Sequence, residues 1–207
     1  MLKTIYTIGY SCFKIDDFIS VLKKYKINSL IDVRSNPNSM YYTDYNMSNL
    51  ETLLKANGII YRNYKKEFGA RQENPRFHGN GYLDFAKFVK SDNFLEGVKK
   101  IEAGIERGYV FAFMCAEKDP STCHRNIMVA REFYKKGYEI GNILFDGTIE
   151  LQRCIEERLV DQYFPNRNQL TLFQDELSWE EMVDKSYQQR NSEIGYRKDQ
   201  KEDDGYD

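Results

Sequence analysis

The sequence of 207 residues predicts an α/β fold: a single three-layer domain with a mostly parallel five-stranded sheet flanked by helices, followed by a C-terminal helical extension. Three observations predict it. Short runs rich in β-branched and aromatic residues alternate with segments of helical period, the pattern of right-handed βαβ crossovers. One run, Val110-Phe-Ala-Phe-Met-Cys115, is apolar throughout rather than alternating, as expected of a central strand covered on both faces. After Leu159 the chain turns polar, which places the domain at residues 1–160 and the extension at 161–207.

The strand runs are Thr4–Ile8, Ser29–Val33, Ile59–Tyr64, Tyr109–Cys115 and Glu139–Leu144. Between the first two, Phe18, Val21, Leu22 and Tyr25 follow helical spacing, with Asp16 and Asp17 suited to the positive N-terminal end of the helix. Ser48-Asn-Leu-Glu51 reads as a capping box, and Asn57-Gly58 as that helix's stop. Tyr82, Phe85, Ala86 and Val89 predict a further helix, as do Phe94, Val98, Ile101 and Ile105. A last helix of the domain runs from Cys123 to Lys136 and closes at Gly137. The Gly- and Asn-rich stretch Phe77–Gly81 reads as an insertion or lid on the active-site side. In the extension, Phe164–Gln169 is a linker, Ser178-Trp-Glu-Glu181 opens a short acidic helix, and the polar end over Arg197–Asp204 is expected to be disordered.

Composition narrows the function classes. Sixteen Tyr and 13 Phe suit a packed interior, and a net charge of −2 provides no global field for drawing in nucleic acid. The N-terminal apolar run is too short for a signal peptide, and no segment approaches a membrane span. The four cysteines, Cys12, Cys115, Cys123 and Cys154, follow no secreted-domain spacing, so free thiols in the cytoplasm are expected. Cofactor and oligomeric state are left open by the residues.

In open parallel sheets, ligands bind beyond the carboxyl ends of the strands. Three such ends carry unusual polar residues: Gly9-Tyr10-Ser11-Cys12, Asp32-Val-Arg34-Ser-Asn-Pro37, and Met114-Cys-Ala-Glu-Lys-Asp-Pro-Ser-Thr-Cys-His-Arg125. The helix start at Cys123 presents unpaired N–H groups for an anion, and Arg125 adds a planar fork. The same environment favours the Cys123 thiolate, with His124 as a proton relay and Glu117 or Asp32 as acid–base group. Arg34, Arg71, Ser11, Tyr10 and Cys115 are the other candidates for the substrate or anion. Cysteine phosphatases and rhodaneses share this strand–loop–helix logic, but their Cys-x5-Arg spacing is absent, since nine residues separate Cys115 from Arg125. The plainer readings are a core role for Cys115 and an ion pair of Arg125 with Asp32.

Two further patterns carry recognisable chemistry. Cys115, Cys123 and His124 are soft ligands close in sequence, and His78 or Cys12 would complete a zinc tetrahedron, although Cys-x7-Cys-His is not a usual zinc spacing. Residues 61–90 hold seven Lys and Arg against three acids, interleaved with Tyr61, Tyr64, Phe68 and Phe77, a mixture that suits stacking on single strands.

Thr7-Ile-Gly-Tyr-Ser11, Ile31-Asp-Val-Arg34 with Pro37, Phe68-Gly-Ala-Arg71, Gly81-Tyr82, Met114-Cys-Ala-Glu117, Cys123-His-Arg125 and Asp146-Gly147 occur in that order. Together they resemble the domain-of-unknown-function family numbered 488, over about Thr4 to Leu159. The tail from Leu170 to Arg197, with Ile194-Gly-Tyr-Arg197, is similar to the C-terminal extension of longer members. Tyr10 stands where the family commonly has His. The resemblance implies no settled activity; some members carry a DNA-repair label, a loose association.

The expectation is an enzyme acting on a phosphate-bearing, nucleotide or nucleic-acid substrate at the C-terminal rim of the sheet. A non-catalytic module binding nucleic acid or a protein partner, and a zinc-binding protein using Cys115, Cys123 and His124, are the alternatives.

Overall fold

In the computed structural model, which describes residues 3–167 and 177–198, the chain lays down β1 (Thr4–Gly9), β2 (Ser29–Asp32), β3 (Ile60–Asn63), β6 (Phe111–Cys115), β7 (Glu139–Ile143) and β8 (Ile149–Leu151) as one sheet. Its order is β3-β2-β6-β1-β7-β8. All neighbours are parallel except β7 and β8. The sheet therefore has six strands rather than five. Ile149-Glu-Leu151 is short and half-buried, and it turns back on β7 through the Gly147 turn. A small antiparallel pair, β4 (His78–Gly79) with β5 (Tyr82–Leu83), lies apart from it.

Both faces are covered, and successive strand residues split between them as the pleat requires. On β6, Ala112 and Met114 join Phe18 and Leu22 of α1 (Ile15–Lys24) and Leu50 and Leu54 of α2 (Met47–Ala56). Phe111, Phe113 and Cys115 face the opposite layer. That layer holds α5 (Asp92–Glu106), α6 (Arg131–Lys135) and α7 (Gln152–Tyr163), and α8 (Trp179–Ile194) packs into it through Val183 and Tyr187.

Several local expectations are corrected. The second helix starts two residues upstream of Glu51's predicted box: Asn46 is its N-cap, without a side-chain cap bond. Asn57 and Gly58 (φ 73°) do end it. Tyr82 is in a strand, so the helix predicted there shrinks to α4 (Phe85–Phe88), capped by Asp84. The helix predicted from Cys123 begins instead as a π-helix, Arg125–Ala130, before continuing as α6. Ser178 and Glu181 do form a capping box, but α8 runs 16 residues. Asn168, Gln169 and the end beyond residue 198 lie outside the described residues.

A buried polar network ties the extension to the sheet. Asn126 and Gln152 exchange side-chain hydrogen bonds at 2.8 and 3.0 Å, Thr7 Oγ1 donates to Asn142 Oδ1, and Gln152 Nε2 donates to the Tyr187 hydroxyl at 2.8 Å. Each group is buried, so each bond spares a desolvation cost of about 1–3 kcal/mol. Among the described residues, no helix is long and apolar enough to cross a membrane.

Candidate functional site

After β2 the chain leaves toward β3; after β6 it leaves in the other direction, toward β7 across β1. A crevice opens where adjacent strands diverge in this way, beyond their carboxyl ends. A cavity of about 250 Å³ lies there, bordered by Arg34 and Ser35 after β2, Cys115, Glu117, Thr122 and His124 after β6, and Arg71 from the insertion. Residues 193–197 of the extension form its outer wall.

Asp32 and Arg34 are two residues apart at the end of an extended strand and share one side of it. Arg34 Nε donates to Asp32 Oδ1 at 2.9 Å and Nη2 to Oδ2 at 2.6 Å, while Tyr61 donates to the same Oδ2 at 2.7 Å. Arg34 Nη2 also donates to the Tyr45 carbonyl at 2.8 Å. Asp32 is fully buried and does not border the cavity, so the acid–base role expected of it gives way to that of an anchor for Arg34. Its partner is Arg34, not Arg125.

The Tyr10 ring lies under the Arg34 guanidinium, 4.9 Å from centroid to Cζ, and stacks on Tyr45 at 4.4 Å. Arg34 Nη1 and the Tyr10 hydroxyl are both buried and have no hydrogen-bond partner among the described residues. Ser11 donates its backbone N–H to Ala116 and pins the loop after β6, but does not border the cavity. Arg71 is placed by its backbone N–H to Ser35 Oγ at 2.8 Å and by the ring of Tyr196.

Arg125 is corrected most. It is fully buried, and its guanidinium is turned inward: Nη1 donates to the Glu117 carbonyl at 2.7 Å and Nη2 to the Lys118 carbonyl at 3.4 Å. It holds the loop rather than a ligand. Gly9 makes room for this clamp, since a Cβ there would fall 1.9 Å from the Glu117 carbonyl oxygen.

Below the cavity, Cys115, Glu117, Cys123 and His124 bring one donor atom each within 4.8 Å of one another. Cys123 Sγ donates to Glu117 Oε2 at 2.7 Å and accepts from the Arg125 backbone N–H at 3.4 Å. Cys115 Sγ lies 3.8 Å from His124 Nδ1, and His124 Nε2 is 3.0 Å from the Val33 carbonyl. A carbonyl only accepts, so Nε2 carries a proton and, in the neutral ring, Nδ1 is the free lone pair. Cysteines 12, 115, 123 and 154 are all free thiols.

Electrostatics within this cluster are strongly coupled. Partial desolvation at the border of the cavity, then the neighbouring Cys123, raises the Glu117 carboxyl to about 7. Burial alone would raise the Cys123 thiol, yet Cys115, Arg125 and His124 together bring it well below its ordinary value. Burial and the adjacent Cys123 push Cys115 the opposite way. His124 rises to about 9, because Cys123 and Glu117 outweigh the burial that opposes its charge.

The other expected ligands lie elsewhere: His78 Nε2 is engaged by the Gln72 carbonyl, and Cys12 donates to the Gly9 carbonyl. The stacking surface expected over residues 61–90 is also not formed, because Tyr61, Phe68 and Phe77 are buried in the core and Tyr64 packs against it. Ser35, Thr122, Glu193, Tyr196 and Arg197 border the cavity without having been predicted. The one sequence signal for the last two is the Ile194-Gly-Tyr-Arg197 string within the polar extension.

No curated protein and no solved structure matches the chain. Residues 14–131 match the family described as Domain of unknown function DUF488, and they supply β2, β3, β6 and all four donors of the buried cluster. The chain belongs to the DUF488 family.

Proposed function

We propose that this protein is an enzyme acting on a small phosphate-bearing substrate, seated in the cavity between the ends of β2 and β6. The observation that carries the reading is Arg34. It borders the cavity, it is held rigidly by Asp32, and its Nη1 closes no well-formed hydrogen bond among the described residues, with the Tyr10 side chain as its polar neighbour. A buried cationic donor without an acceptor is costly, and a phosphate oxygen is the acceptor that a guanidinium fork suits best.

Arg71 and Arg197 share the border with Arg34, against the carboxyls of Glu117 and Glu193. Glu193 is engaged by Arg190 and Tyr163, so its carboxylate is already satisfied where it meets the cavity. The volume of about 250 Å³ accommodates a phosphate with a small attached group rather than a duplex or a folded partner. Cys115, Glu117 and His124 face the same space, so the groups able to transfer protons or attack lie beside the anion rather than remote from it.

Calorimetric titration with inorganic phosphate and a panel of sugar phosphates and nucleoside monophosphates tests the reading, followed by turnover assays on whatever binds. Saturable binding is expected, weakened roughly tenfold or more by Arg34→Lys, which keeps the charge and loses the fork. Absence of phosphate binding, or binding that ignores both Arg34→Lys and Arg71→Ala, overturns it. Tight, salt-sensitive binding of single-stranded nucleic acid that survives Arg34→Lys would favour a binding module instead.

A further inference from the structure

We infer that Cys115, Cys123 and His124 bind a zinc ion, with Glu117 as the fourth, exchangeable ligand on the cavity side. The chemistry of the donor set is the first argument. Two thiols, an imidazole and a carboxylate are zinc ligands, and soft sulfur argues against magnesium or calcium. Their donor atoms, all within 4.8 Å of one another, need shifts of only about an ångström to reach the separations of about 3.3–3.8 Å that tetrahedral zinc imposes.

The surroundings are those of a prepared ligand set. The Val33 carbonyl holds His124 Nε2 at 3.0 Å and so aims Nδ1 at Cys115, the outer-shell arrangement that fixes a metal-bound imidazole. The Arg125 backbone N–H points at Cys123 Sγ, and the fully buried Arg125 side chain supplies a positive charge beside it. Two thiolates, one carboxylate and a neutral imidazole around a divalent ion sum to one negative charge, which that guanidinium offsets. Adjacent Cys and His converge because the backbone changes from extended at Cys123 (φ −124°, ψ 137°) to helical at His124 (φ −60°, ψ −26°).

Glu117 differs from the other three. Cys115, Cys123 and His124 are buried, whereas the Glu117 side chain is 39% exposed and borders the cavity. Three fixed ligands and one displaceable position are the arrangement of catalytic rather than structural zinc. A phosphate oxygen or water entering beside Arg34 takes the Glu117 position, and the protons still held by the cysteine thiols and by His124 Nδ1 leave to solvent as the ion binds. The exchangeable position rests on the cavity being an anion site; the ion itself does not.

The test uses the untagged full chain. Elemental analysis is expected to find one zinc per chain. Replacement by cobalt is expected to give thiolate-to-metal charge-transfer absorption and the intense visible bands of a tetrahedral ion. Cys115→Ser and Cys123→Ser lose the ion, while Glu117→Gln keeps it with affinity lower by at least about tenfold. Inorganic phosphate is expected to shift the cobalt spectrum of the unmutated chain. A folded chain that holds no stoichiometric zinc, as purified or after zinc is added, overturns the proposal. So does a cobalt spectrum without sulfur charge transfer, which needs no variant to fold. Arg34→Lys separates the two readings, because it is expected to lose phosphate and retain zinc; zinc without any phosphate response refutes the exchangeable position alone.

Discussion

Replacing Gly9 by alanine tests whether the loop after β6 is clamped as described. The added Cβ would stand 1.9 Å from the Glu117 carbonyl oxygen, 2.8 Å from its carbon and 3.2 Å from Arg125 Nη2. The first two atoms are backbone and cannot rotate away, so the loop must retreat until the oxygen reaches about 3.4 Å, an ordinary contact. Overpacking of this kind costs about 1–3 kcal/mol. The same retreat breaks the 2.7 Å bond from Arg125 Nη1 to the Glu117 carbonyl, a buried charge-assisted bond worth about 1.5–3 kcal/mol. Together they give about 2.5–6 kcal/mol, at the high end for one substitution. For a chain of this length that is a fall in Tm of roughly 5–24 °C. Calorimetric or near-ultraviolet melting measures it. Gly141→Ala is the control, since its Cβ would meet the Tyr6 ring at 3.0 Å, a side chain able to yield. A Gly9→Ala chain that melts within about 3 °C of the parent would refute the clamp.

Three other outcomes are expected. Tyr61→Phe removes one donor from the buried Asp32 carboxylate and should destabilise the fold by about 1–3 kcal/mol while weakening phosphate binding through Arg34; unchanged melting would show that Asp32 does not depend on it. Ser178→Ala removes the capping box of α8 and should cost about 1 kcal/mol in denaturant unfolding, and a loss near zero would mean that packing of Tyr187 alone holds the helix. Stripping zinc with a chelator should lower Tm, and restoring zinc at a hundredfold excess over its Kd should return about 2.7 kcal/mol; a melting curve indifferent to zinc speaks against the ion.

Much of the fold was legible because hydrophobic period and burial go together. Val110–Cys115 reads as a doubly covered strand, and it is buried throughout over 111–115. The sixth strand was not legible: Ile149-Glu-Leu151 is three residues long, and only its pairing with β7 makes it a strand. Tyr82 misled in the other direction, since it follows helical spacing with Phe85 and Val89 yet pairs with Gly79 across a hairpin. At the site, Cys115, Cys123 and His124 were visible as neighbours because they fall within ten residues of one another, whereas Glu117 read as an acid–base group and the fourth donor was sought at His78 or Cys12. The pairing of charges was less so. Either arginine could pair with Asp32 by charge alone, and the decision came from strand geometry, which sets residues 32 and 34 on one side. The outer wall of the cavity was invisible for a simpler reason, as its residues are about 80 positions away from Glu117 and reach it only through the packing of α8.

That distant wall has a consequence for the order in which the protein is made. A ribosome releases the sheet, Arg34 and the four donors well before residues 193–197 emerge. Because Val183 and Tyr187 of α8 share one core with the sheet, folding of the domain is completed only once the extension has emerged. Until α8 docks, the cavity lacks its outer wall. The late-arriving helix is thus the part of the molecule that puts the last side of the cavity in place.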